Sequence, residues 1–95
     1  MGYPKKDYKF IKFGATNAKN KKYTAFIKNK KNDRIIKIHF GDNRFSHFKD
    51  TTGLGLFSKK DHMDLSRRRR YRARHSVYLN EKEYSPAYFS WHYLW

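Results

Sequence analysis

Lys22-Tyr23-Thr24-Ala25-Phe26-Ile27-Lys28, then Asn29-Lys30-Lys31-Asn32-Asp33, then Arg34-Ile35-Ile36-Lys37-Ile38-His39-Phe40 follow one another without a break, and their reading decides the fold. The outer two runs are rich in β-branched and aromatic residues, which suit a pleated, half-buried surface; the middle run has turn chemistry. The sequence therefore predicts a β-hairpin. Alternation places Ile36, Ile38 and Phe40 on one face and Ile35, Lys37 and His39 on the other. A lone hairpin is marginal in water and needs a third strand or a packed helix. Tyr8-Lys9-Phe10-Ile11-Lys12-Phe13, ended by Gly14, is the candidate third strand.

Downstream of the hairpin the chain reads as irregular over residues 41–60, with turn signals at Gly41-Asp42-Asn43 and Thr51-Thr52-Gly53-Leu54-Gly55. Between them Arg44, Phe45, Phe48 and Lys49 suggest a helical turn. A helix is predicted from Leu65 to about Arg74, with Asp64 as N-cap and Ser66 as a second candidate. Asp61 and Asp64 also suit the positive end of its dipole. Ser85-Pro86 is a cap followed by a proline at the first helical position, and from there Tyr88, Trp91, His92 and Trp95 form an aromatic stripe at helical spacing. The expected class is α+β: a small β-hairpin or three-stranded antiparallel sheet, an Arg-rich helix and a short C-terminal aromatic helix. Residues 1–20 would be a basic arm or an extra strand, and residues 21–95 one small domain.

The length allows one small domain, and a formal charge of +15 with 38% hydrophobic residues points to an anionic partner: nucleic acid, an acidic protein or an anionic lipid surface. Half of the hydrophobic content is aromatic, with eight Phe, eight Tyr and two Trp, so the core is small but made of large pieces. Several of those rings are expected to serve a partner surface. The absence of cysteine excludes disulfides, thiolate metal sites and cysteine nucleophiles. No apolar run approaches the roughly 20 residues of a membrane span, and neither a secretory segment nor an acylation signal is expected.

Six of the eight arginines lie in Arg67-Arg68-Arg69-Arg70-Tyr71-Arg72-Ala73-Arg74. At about 100° per residue a helix spreads them around its circumference, so they cannot all share one solvated face. Some must meet an anion: a phosphate, a carboxylate of a partner, or the chain's own Asp42, Asp50, Asp61, Asp64, Glu81 and Glu83. The candidate anion- or partner-binding residues are Arg67, Arg68, Arg69, Arg70, Arg72, Arg74 and Arg44, with Tyr71, Tyr88, Trp91 and Trp95 as aromatic docking or core residues. Lysines interleaved with aromatics in residues 8–28 suit single-stranded nucleic acid, and equally a strand with one solvated face. Asp61-His62-Met63-Asp64 and His75 invite a metal or nuclease reading, but the ligand spacing is unfamiliar and Asp64 is better explained as a cap. No catalytic residue, metal or cofactor is assigned. The end of the chain is expected to fold back over the hairpin.

Lys22-Tyr23-Thr24-Ala25, Phe40-Gly41-Asp42-Asn43-Arg44-Phe45, Asp61-His62-Met63-Asp64, the run from Arg68 to His75 and the ending from Ser85 to Trp95 occur in one order. In this the chain, over roughly residues 21–95, resembles a family of short, basic, mostly uncharacterised proteins of large nucleocytoplasmic DNA viruses of algae and amoebae. Its arginine run is richer than that pattern requires. The resemblance implies a virion setting, with host cytoplasm during assembly, and brings no catalytic residues. The expected function is a non-enzymatic minor capsid component that cements or fills gaps between larger, acidic viral structural proteins. The alternative is sequence-nonspecific DNA binding for genome packaging; neither involves a small-molecule substrate.

Overall fold

In the computed structural model, which describes residues 2–76 and 82–95, the hairpin is formed by β3 (Lys21–Asn29) and β4 (Ile35–Asp42). Its register sets Tyr23 opposite Phe40, Ala25 opposite Ile38 and Ile27 opposite Ile36. These six side chains share the core face, and Tyr23, Ala25, Ile27 and Phe40 are fully buried there, while Ile35 on the other face is 51% exposed. In the turn, Asn29 Oδ1 accepts the Lys31 N–H at 2.8 Å and Asp33 takes the left-handed conformation that Asp tolerates. β2 (Tyr8–Ala15) pairs antiparallel with the other edge of β3, giving the order β2-β3-β4. The protein is α+β.

Two features of β2 differ from the sequence expectation. The strand does not stop at Gly14 but runs through it, because Gly14 permits close approach: a Cβ there would lie 2.8 Å from Phe26 Cε2. The register also steps from Phe10 opposite Ile27 to Lys12 opposite Phe26, leaving Ile11 as a bulge. In a regular strand residues 10 and 13 point to opposite faces. The extra residue turns both rings toward the core, their centroids 4.7 Å apart. β1 (Tyr3–Pro4) pairs with β5 (Glu83–Tyr84) as a separate two-stranded ribbon.

The expected helical turn at Arg44–Lys49 is absent; a turn at Asn43–Arg44 leads into extended chain, in which His47 bridges to Asp61, and a short 3-10 turn lies later, at Ser58–Lys60. The reason is that this loop spends its backbone groups elsewhere. The N–H groups of Phe48 and Lys49 donate to Leu94 O at 3.0 and 3.1 Å, and that of Thr51 donates to Tyr93 O at 2.9 Å. These bonds satisfy carbonyls left open at the end of the last helix. The loop also straddles β3, holding the Lys22 amine on one side and the Tyr23 hydroxyl on the other.

α1 (Leu65–Arg74) begins where the sequence places it: Asp64 Oδ1 accepts from Ser66 N at 2.9 Å and Arg67 N at 3.1 Å, so Ser66 is capped rather than capping. No residue of α1 is buried. Asp64→Ala should cost the helix about 1 kcal/mol. Amide exchange over residues 65–70 should then quicken about fivefold while the β3 amides stay unchanged; equal acceleration in both would show that α1 is not an independent opening unit.

α2 (Pro86–Tyr93) carries the Ser85 cap, whose Oγ accepts the Tyr88 N–H at 3.1 Å, with Pro86 first in the helix. The face it buries takes in only part of the expected stripe. Phe89, Trp91 and Leu94 are buried, whereas Tyr88 is half-buried and His92 exposed. Phe89 is the pivot, with ring centroids 5.5 Å from Phe40 and 5.9 Å from both Phe10 and Phe13. The chain end thus folds back over the sheet.

Candidate functional site

α1 divides its arginines into two sets. Arg68, Tyr71, Arg72 and His75 recur at i, i+3, i+4 and i+7 and turn toward the body of the protein, while Arg67, Arg69, Arg70 and Arg74 are exposed. What the inward set meets is the end of the chain. The Trp95 main-chain oxygen accepts from Arg68 Nε at 2.9 Å, Arg72 Nε at 3.3 Å and Arg72 Nη2 at 3.2 Å. The Arg68 guanidinium lies 4.7 Å from the Phe48 ring centroid and that of Arg72 lies 4.4 Å from Trp91. Tyr71 stacks on Trp95 at 4.3 Å with the planes 5° apart, and the His75 ring lies 4.4 Å from Tyr71. Burial, and then the neighbouring Arg68, push the Arg72 pKa down.

The acids offered by the sequence as internal partners are engaged elsewhere. Asp42 binds Arg44, with Oδ1 to Nε at 3.0 Å and Oδ2 to Nη2 at 2.7 Å, and these bonds hold its carboxyl down at about 2. Arg44 is therefore a charge-compensated corner rather than a free anion receptor. Asp64 caps α1, and Asp50 accepts from the Tyr23 hydroxyl and from Thr52. Glu81 lies outside the described residues. Among the described residues no carboxylate pairs with an arginine of α1. Arg67 Nη2 reaches the Ser46 hydroxyl at 3.1 Å, which ties the Phe45–Ser46 loop to the helix.

The surface around these arginines is not purely polar. Met63 and Leu65, leading into α1, are 54% and 63% exposed, and Phe45 is 64% exposed. Between α1, the end of the sheet and α2 lies a cleft of about 380 Å³ lined by Lys22, Phe45, Tyr71, His75, Ser90 and Trp95, among others.

Beneath it runs a buried polar chain that sequence reasoning missed. Lys22, only 3% exposed, donates from Nζ to His47 Nδ1 at 2.6 Å; His47, 1% exposed, donates from Nε2 to Asp61 Oδ1 at 2.5 Å. The same Asp61 oxygen accepts the Asp50 N–H at 2.9 Å. A carboxylate can only accept, so the proton between His47 and Asp61 sits on Nε2 and leaves Nδ1 free to accept from the amine. Burial, and then Lys60, push the Lys22 amine down to about 8; burial, and then Lys22, lower the His47 pKa. No spacing rule connects residues 22, 47 and 61, and period-2 alternation alone assigns Lys22 to a solvated face. His62 is packed, its Nδ1 accepting the Asp64 N–H at 2.9 Å and its ring 5.2 Å from that of Trp95. Among the described residues, no group of three or more His, Asp or Glu is placed to hold a metal, and no helix is long and apolar enough to cross a membrane.

Comparison with known protein families, with curated proteins and with solved structures finds no match to this chain.

Proposed function

We propose that the protein is a non-enzymatic structural component of a virion, a minor capsid piece that cements larger subunits by docking α1 onto an acidic protein surface. The observation that carries this is the composition of the docking face. Four exposed guanidiniums, Arg67, Arg69, Arg70 and Arg74, have no carboxylate partner among the described residues and stand beside exposed Met63, Leu65 and Phe45. Arginine, methionine and aromatic residues are the types enriched at protein interfaces, and their charge steers and registers an acidic partner. The virion setting comes from the family resemblance. A second reading, sequence-nonspecific DNA binding, is favoured by the net charge of +15.

Fractionating disrupted virions tests the choice: the protein should remain with shell fractions, and recovery with the genome-containing core would overturn the capsid reading. In solution, binding to a 20-base-pair duplex should be weak near 150 mM salt. A submicromolar affinity there, with a log-log salt slope of about −0.9 for each phosphate contacted, would favour packaging. Replacing Arg67, Arg70 and Arg74 together with Gln should abolish uptake into shells while changing stability by no more than about 0.5 kcal/mol for each substitution, because all three side chains are exposed.

A further inference from the structure

Arg68 and Arg72 converge on one oxygen, so two positive charges are held side by side in a half-buried corner. With Arg69 and Leu65 they line a concavity of about 290 Å³. Even a full negative charge on the Trp95 oxygen would offset only one of the three guanidiniums. Only Nε of Arg68 and Nε and Nη2 of Arg72 are used by that oxygen, so the two terminal amino groups of Arg68 and Nη1 of Arg72 have no acceptor among the described residues. Phe48 and Trp91 hold the two planar groups in place, which removes much of the entropy a flexible arginine loses on binding. Fixed forks, surplus charge and a concave surface together describe a receptor for a two-oxygen anion.

We propose that the Arg68–Arg69–Arg72 cleft is the recognition point of the docking face and takes a side-chain carboxylate, set next to an apolar residue, from the acidic protein partner. This rests on the docking function argued above and narrows it to a contact. Phosphate satisfies the same fork. The rim decides for a protein: Leu65 presents apolar area that a folded partner covers and a sugar-phosphate backbone leaves wet.

Charge-preserving substitutions separate a shaped site from general attraction, because Lys keeps the charge and loses the fork. The probe is fluorescein-labelled Glu-Leu-Glu-Glu-Leu-Glu, with anisotropy read on the full chain near 150 mM salt against a 20-base-pair duplex. Arg69→Lys and Arg72→Lys should each weaken the peptide about tenfold or more, and Arg70→Lys and Arg74→Lys less than about twofold. Arg69 is exposed and does not hold Trp95, so its substitution carries the test should Arg72→Lys loosen α1, which circular dichroism would report. Equal small effects at all four positions, or no peptide binding by the unaltered protein, would overturn the cleft. So would duplex bound more tightly than peptide through the same residues, which would assign it to phosphate. Shell location combined with equal effects sinks the cleft alone; core location sinks the docking function itself.

Discussion

Phe89→Ala should leave the protein largely unfolded at physiological temperature. Phe89 is fully buried and is the side chain of α2 that meets both outer strands of the main sheet, through Phe10 and Phe13 of β2 and Phe40 of β4, the last packed in turn against Tyr23 of β3. Removing such a ring costs about 3–5 kcal/mol. That is a large share of the stability of a domain whose total is about 5–15 kcal/mol, and it corresponds to a fall in Tm of about 15–30 °C for a chain of this size. A thermal melt followed by circular dichroism measures it. Tyr88→Ala, one residue away but half-buried, should fall by much less; comparable losses would mean that the helix buries a different face.

Asp61→Ala should be nearly as severe, for an electrostatic reason. Asp61 is the negative end of the chain that runs from Lys22 through His47, and it also holds the Asp50 N–H. Its loss removes a negative charge that offsets the buried Lys22 amine and leaves the buried His47 Nε2–H without its acceptor, which costs about 3–5 kcal/mol. Lys22→Met should be far milder, since it removes the charge whose burial is unfavourable and keeps most of the side-chain volume. The two differ in pH dependence as well. The folded Lys22 amine titrates near 8 against 10.5 when exposed, so the unfolded chain holds more protons between those values. Stability from this group therefore rises with pH across that window, and its cost is fully present below it. His47, also lowered from 6.5, works in the same sense at lower pH: stability falls as the medium is acidified below its ordinary value, where the unfolded chain takes up the proton first. Urea midpoints measured from pH 5 to 10 should show both limbs, and Lys22→Met should lack the alkaline one. If unaltered protein and Lys22→Met ran parallel above pH 8, the amine would not be the titrating group.

Much of the architecture is written locally. β-Branched and aromatic alternation places β3 and β4, the Asp64 and Ser85 caps place both helices, and each signal lies within a few residues of what it controls. What failed were inferences that need a third body. Gly14 reads as a stop until Phe26 is known to lie across from it, and the bulge at Ile11 is invisible because it answers to the aromatic layer and not to neighbours in the chain. Phe89 went unnoticed beside a longer stripe of rings because periodicity gives the repeat of a helix and not its rotation about the axis. The arginine run was legible as a candidate site from composition and helical geometry. Its division into Arg68 and Arg72 inward and Arg67, Arg69, Arg70 and Arg74 outward was not, because the dividing contact is with Trp95, remote in sequence.

That contact also sets an expectation for the order of folding. α1 has ten residues and buries none of them, and a helix so short and polar has little stability of its own. The surfaces that receive it, Trp91 and Trp95 with Phe48 hydrogen-bonded to Leu94, exist only once α2 has seated on the sheet. The helix that leaves the ribosome first should therefore be the last to dock, with the arginines on a loose tether until the rest of the domain is complete.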